Sequence, residues 1–243
     1  MSQVAIPGVD GDLSGELRRP EGTTPAPAVI VLSEIDGFCP GTVAAAQHLA
    51  DAGYVALALD LYTPYGGTPP LRGREDTMAW LARLNERRQL SDLAMALSWL
   101  KSVPGVDPDR LAVLGFSIGG RFSMMMTTEP HGLRAAVAMY SRPWPSEAIA
   151  QTALAPGKHV ALFGQPVCAI FGADDEMIPL TMVEEFREEL ERYPALGHEL
   201  HVLPGRHFFV NESRPRRYVP ESAEKAWGFA LEFLATHMAQ PSE

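Results

Sequence analysis

Two cysteines in 243 residues, Cys39 and Cys168, are too few for a disulfide framework. No run of 18 apolar residues occurs, so no membrane-spanning helix is expected. The start, Met1-Ser-Gln-Val-Ala-Ile-Pro-Gly8, lacks the basic and apolar regions of a secretory leader. Together these absences predict a cytoplasmic protein. Basic residues are scarce too: 20 Lys and Arg face 30 Asp and Glu, a net charge of −10. That balance repels nucleic acid and anionic membranes, and neither is expected as a partner. No group of His, Cys, Asp or Glu has zinc-ligand spacing, so the sequence implies no metal and no cofactor. What is present is 46% hydrophobic residues, enough to bury a sizeable core in one domain over 1–243. A monomer or small homo-oligomer acting on a small molecule is the expectation.

Short apolar runs alternate with stretches of helical periodicity. Residues 4–6 and 12–18 read as an antiparallel pair around the turn at 7–11. Ala28–Leu32, Tyr54–Leu59, Leu111–Leu114, Ala135–Tyr140, Val167–Phe171 and Leu200–Leu203 read as buried strands. Helices are predicted from Thr42 to about Ala52, over Glu75–Lys101 with a break between 85 and 91, over Leu180–Arg192, and over Ala223–Met238. The Gly- and Pro-rich stretch 63–73 reads as irregular. Such alternation predicts an α/β fold: a mostly parallel, doubly wound sheet with helices on both faces. Ligands of such sheets sit at the carboxyl ends of the strands.

One of those ends carries Gly115-Phe-Ser-Ile-Gly-Gly120, between the strand Leu111–Leu114 and a helix starting near Phe122. Strand, G-x-S-x-G and helix are the context of a nucleophile elbow, a strained turn that lifts a serine hydroxyl above the sheet. Serine needs a base, usually histidine, and an acid that orients it. Downstream, Val167–Phe171 ends in Gly172-Ala-Asp-Asp-Glu-Met-Ile-Pro179, where either Asp174 or Asp175 could serve. Of seven histidines, His207 directly follows the last strand and is the candidate base. The oxyanion hole requires two amides, assigned to Ile118 after the nucleophile and Ile35 in the loop after Leu32.

Five segments together resemble the dienelactone hydrolase family of α/β-hydrolases, over nearly the whole chain: 29–37, 53–62, 115–120, 172–179 and 205–208. The resemblance implies an α/β-hydrolase fold, selects Asp175 over Asp174, and again points to His207. It also matches Glu34 to a glutamate that touches the resting nucleophile, and Ile35 to the oxyanion amide. Three departures stand out. Ser117 occupies the position of the founding members' cysteine, so the histidine must take the proton directly. Of a clamp of two arginines and a tyrosine for a substrate carboxylate, Arg74 is kept. Met78 and Asn211 replace the other two. Phe38, Trp144 and Phe208 are candidates for an apolar pocket, and 141–164 for a small lid. The expected function is hydrolysis of a carboxylic ester or lactone through an acyl-enzyme, with the rate rising with pH through the ordinary histidine range, about 6–7. Alternatives on the same residues are acyl transfer and a binding protein that has lost catalysis.

Overall fold

A computed structural model describes residues 2–22, 25–149 and 153–239. Its centre is one eight-stranded sheet in the order β1-β2-β4-β3-β5-β6-β7-β8. The strands are β1 (Ser2–Ile6), β2 (Leu13–Arg18), β3 (Ala26–Leu32), β4 (Val55–Asp60), β5 (Val106–Phe116), β6 (Leu133–Met139), β7 (Val167–Gly172) and β8 (Glu199–Leu203). β2 runs antiparallel to both β1 and β4, and every other pairing is parallel. The helices are α1 (Pro40–Asp51), α2 (Arg74–Arg83), α3 (Glu86–Lys101), α4 (Ile118–Met125), α5 (Leu180–Glu191) and α6 (Pro220–His237).

Period-two alternation sorts the strand side chains between two layers. Ile30, Leu32, Leu57, Leu59, Leu111 and Val113 pack with Trp80, Leu93, Leu97 and Leu100 of α2 and α3. Val29, Val31, Ala56, Ala58, Ala112 and Leu114 face the other way, toward Leu49 of α1 and Ala230, Phe233 and Leu234 of α6. On the first face, Ala136, Ala138, Ala169 and Phe171 meet Val183, Phe186 and Leu190 of α5. Strands covered on both faces must be apolar on both, which is why the central runs show no polar alternation.

Element existence follows the sequence expectations, and the differences are local. The break expected within 75–101 falls at its early edge, because Leu84 turns extended and the Asn85 side chain caps α3 by accepting from the Arg88 amide. α1 begins at Pro40 rather than Thr42, since proline suits the first helical turn. A short 3₁₀ turn, Thr63–Tyr65, lies in the stretch read as irregular.

Candidate active site

Four strand ends on one rim supply the candidate side chains. β5 stops at Phe116 and α4 starts at Ile118, leaving Ser117 between them at φ 52° and ψ −114°. A β-carbon on Gly115 would lie 2.1 Å from the Gly119 carbonyl oxygen, and one on Gly119 would lie 2.6 Å from the Ser33 carbonyl oxygen. Only glycine permits that turn to close against β3. The Ser117 amide donates to the Met139 carbonyl at 2.9 Å, which ties the turn to β6.

The hydroxyl of Ser117 is 3.0 Å from Nε2 of His207, and Nδ1 of His207 is 2.7 Å from Oδ2 of Asp175. The other Asp175 oxygen accepts the amides of Met177 at 2.8 Å and Ile178 at 3.2 Å. With Oδ1 so engaged, Oδ2 is left as an acceptor, which assigns the Nδ1 proton to His207 and leaves Nε2 to accept from serine. His207 and Asp175 are both buried. Asp174, the competing acid, is exposed and turns instead to the histidine loop: its carboxylate accepts from the Gly205 amide at 3.3 Å and its amide donates to the Gly205 carbonyl at 2.9 Å. A β-carbon on Gly172 would lie 2.4 Å from that carbonyl oxygen, so the acid and histidine loops meet through glycine.

Ile35 and Ile118 follow β3 and Ser117, and among the described residues neither amide donates to a protein acceptor. Glu34 beside them is buried, and among the described residues its hydrogen bonds go elsewhere than to the nucleophile. Its Oε1 accepts from the Tyr140 hydroxyl at 2.7 Å and from Asn211 Nδ2 at 3.0 Å, and its Oε2 from Arg214 Nε at 3.3 Å. Burial and the Glu34 charge push the Tyr140 phenol well above its ordinary range, so it stays a donor. Arg214 also pairs with Asp36 and stacks its guanidinium 4.0 Å from the centre of the Phe208 ring. The loop carrying Ile35 is thereby bolted to the loop following His207. Tyr140 and Arg214 were not singled out from the sequence, where nothing marks one tyrosine or arginine from the next.

The remaining candidates are scattered. Arg74 opens α2, exposed, with no hydrogen bond or ion pair among the described residues. Phe208 packs edge-on against His207 at 4.4 Å between ring centres. Phe38 packs against the α1 and α6 layer, whereas Trp144 packs against Phe186 of α5 at 5.9 Å. Phe38 and Phe208 thus pack against one core cluster and Trp144 against another. Of the lid expected over 141–164, residues 150–152 lie outside the described residues. A cavity of about 480 Å³ opens behind Glu34 between α1 and α6, walled by His48, Phe116, Tyr140, Asn211 and Trp227. Neither Ser117 nor His207 lines it, so it is not where the serine would meet a substrate.

A mostly parallel eight-stranded sheet, with a serine turn after β5, an acid after β7 and a histidine after β8, is the α/β-hydrolase fold. Within that class the chain belongs to the dienelactone hydrolase family, whose sequence model matches residues 13–238. A Bradyrhizobium protein provisionally named 2-oxo-3-(5-oxofuran-2-ylidene)propanoate lactonase is 30% identical over 240 residues, covering 97% of this chain and 96% of the relative. A Salmonella typhimurium protein provisionally named carboxymethylenebutenolidase is 31% identical, covering 96% of this chain and 86% of the relative. Among solved structures, a provisionally assigned dienelactone hydrolase of Klebsiella pneumoniae superposes with a TM-score of 0.86 at 27% identity, covering 96% of this chain and 97% of its own.

Proposed function

We propose that this protein hydrolyses carboxylic esters or lactones through a serine acyl-enzyme. The observation that carries this reading is the unbroken hydrogen-bonded path from the Ser117 hydroxyl through His207 to Asp175. Ser117 Oγ forms a bond to the substrate carbonyl carbon while its proton passes to His207 Nε2. Asp175 keeps the Nδ1 proton in place and stabilises the imidazolium. The carbonyl π electrons move onto oxygen, and the amides of Ile118 and Ile35 hold the oxyanion. Collapse expels the alkoxide, which takes the proton from His207; water then repeats the sequence on the acyl-enzyme. In a lactone the alkoxide stays tethered to the acyl group until that second step.

Two observations favour a neutral or weakly polar substrate over an acidic one. Asn211 fills the place of a clamp arginine, and the nearby Arg214 is already neutralised by Glu34 and Asp36. Charged hydrogen bonds contribute about 1.5–3 kcal/mol each, so losing two clamp ligands costs an acidic substrate several kcal/mol. The names of the relatives support a lactone or ester bond as the target.

The test is Ser117→Ala assayed on p-nitrophenyl esters, neutral lactones and one carboxylate-bearing lactone. A loss of about 10³–10⁶-fold in kcat, with Tm held, is expected. Labelling of the native protein by a fluorophosphonate should disappear in the same variant. Undiminished activity in Ser117→Ala refutes the mechanism; a preference in kcat/KM for the acidic lactone refutes the substrate class alone.

A further inference from the structure

The sequence holds no zinc-ligand spacing, yet the fold gathers a ligand set at the opposite rim of the sheet from Ser117. β7 and β8 pair in parallel with Cys168 opposite Glu199 and Ile170 opposite His201. Residues 168, 199 and 201 therefore project to one face, the α6 face, where Cys168 and Ile170 pack. There the Cys168 sulfur, a Glu199 oxygen and a His201 nitrogen all lie within 4.8 Å of one another. The His201 ring lies flat on Phe229, 3.9 Å between centres and 5° between planes, which holds it in orientation. Its Nε2 is 2.9 Å from Glu199 Oε2. Cys168 is fully buried, and its sulfur has no hydrogen bond among the described residues.

We propose that Cys168, Glu199 and His201 bind a divalent metal ion of the zinc type. One thiolate, one imidazole and one carboxylate are the donor classes that suit this ion rather than the hard calcium or magnesium. Charge decides whether the burial is tolerable: a 2+ ion with one thiolate and one carboxylate forms a neutral unit, so little net charge is desolvated. Zinc bonds of about 2.0–2.3 Å put neighbouring ligands of a tetrahedron about 3.3–3.8 Å apart. Closing from the present spacing thus takes about 1 Å of movement. β8 is the edge strand, and Glu199 and His201 are only partly buried, so that movement falls on side chains with room to turn. The metal–sulfur bond forms as the thiol S–H bond breaks, and the proton leaves to solvent. Burial and the Glu199 charge push the free thiol well up from its ordinary value, a penalty that a bound cation reverses. The site lies at the amino ends of β7 and β8, so its role is structural: it pins the edge strand whose other end leads to His207.

Cobalt(II) is the probe, added to chelator-stripped full-length protein. The expected result is a near-ultraviolet thiolate-to-cobalt band with visible bands of tetrahedral intensity, saturating at one equivalent, releasing one proton, and erased by equimolar Zn²⁺. Cys168→Ser should abolish the near-ultraviolet band while Cys39→Ser keeps it. His201→Asn, a change at a partly exposed side chain, should weaken cobalt binding about tenfold or more, and it carries the test should Cys168→Ser fail to fold. Ser117→Ala should leave the spectrum unchanged, so the outcome is independent of the hydrolase reading. Absence of the band at large cobalt excess, or a band indifferent to His201→Asn, overturns the proposal.

Discussion

Among the described residues, three non-glycines have positive φ: Ser117 at 52°, Tyr140 at 40° and Phe208 at 74°. Each directly follows a site strand or a site residue, and each is over-determined by its contacts, which is how strained backbone persists. Around them the choice between candidate residues is a matter of ångströms. Asp175 rather than Asp174 reaches the imidazole because the turn after Gly172 aims consecutive side chains in different directions. Asn211 is similarly constrained. It is buried, bonded to Glu34, and pressed so close to Gly41 that a β-carbon there would lie 2.8 Å from its side-chain oxygen. Asn211→Arg, which would restore a clamp cation by sequence, is therefore expected to overpack the site. A destabilisation of about 1–3 kcal/mol should register as a lowered Tm, with no gain in kcat/KM for an acidic lactone.

At the scale of elements, β8 and the segment that delivers it depend on a neutral histidine. His198 precedes β8, and its Nδ1 accepts the Val167 amide at 3.1 Å, joining the start of β7 to the start of β8. Burial lowers its pKa from 6.5 to about 4. Because the folded value lies below the unfolded one, the unfolded chain binds the extra proton first. The contribution is complete above pH 6.5 and is lost as pH falls toward about 4. Chemical denaturation between those limits should show stability falling with pH, with a shallower slope in His198→Asn. An unchanged slope would remove this account. Nothing in the sequence sets His198 apart from the other histidines, since desolvation is invisible without the neighbours that cause it.

Across the whole molecule, α3, α4 and the segment at Leu154 are tied by one buried ion pair. Arg121, two residues past the elbow glycine, pairs with Glu86 at the start of α3, and the second Glu86 oxygen accepts the Leu154 amide at 2.6 Å. Burial raises the Glu86 carboxyl and lowers the Arg121 guanidinium despite the facing charge, so desolvation outweighs attraction in each. Such a pair is costly to break rather than strongly stabilising as a whole. Arg121→Ala should lose about 3–5 kcal/mol by leaving Glu86 alone. Glu86→Gln with Arg121→Met should recover most of that loss, as read by urea unfolding. Failure of the double variant to recover would mean that the residues act independently.

Composition and periodicity determined the α/β class and the positions of the buried strands, and the motif order placed Ser117 ahead of an acid, Asp174 or Asp175, and then His207, because apolar runs and glycine turns are local properties. The family resemblance alone chose Asp175 between the two acids. The five-residue G-x-S-x-G context needed no distant partner to be recognised. Only the tertiary structure decided that Glu34 turns to Tyr140, Asn211 and Arg214, that Phe38 and Trp144 lie in separate cores, and that Cys168 meets Glu199 and His201. Those outcomes depend on strand register and on which face of the sheet each side chain takes. Residues far apart in the chain acquire such neighbours only when the strands pair.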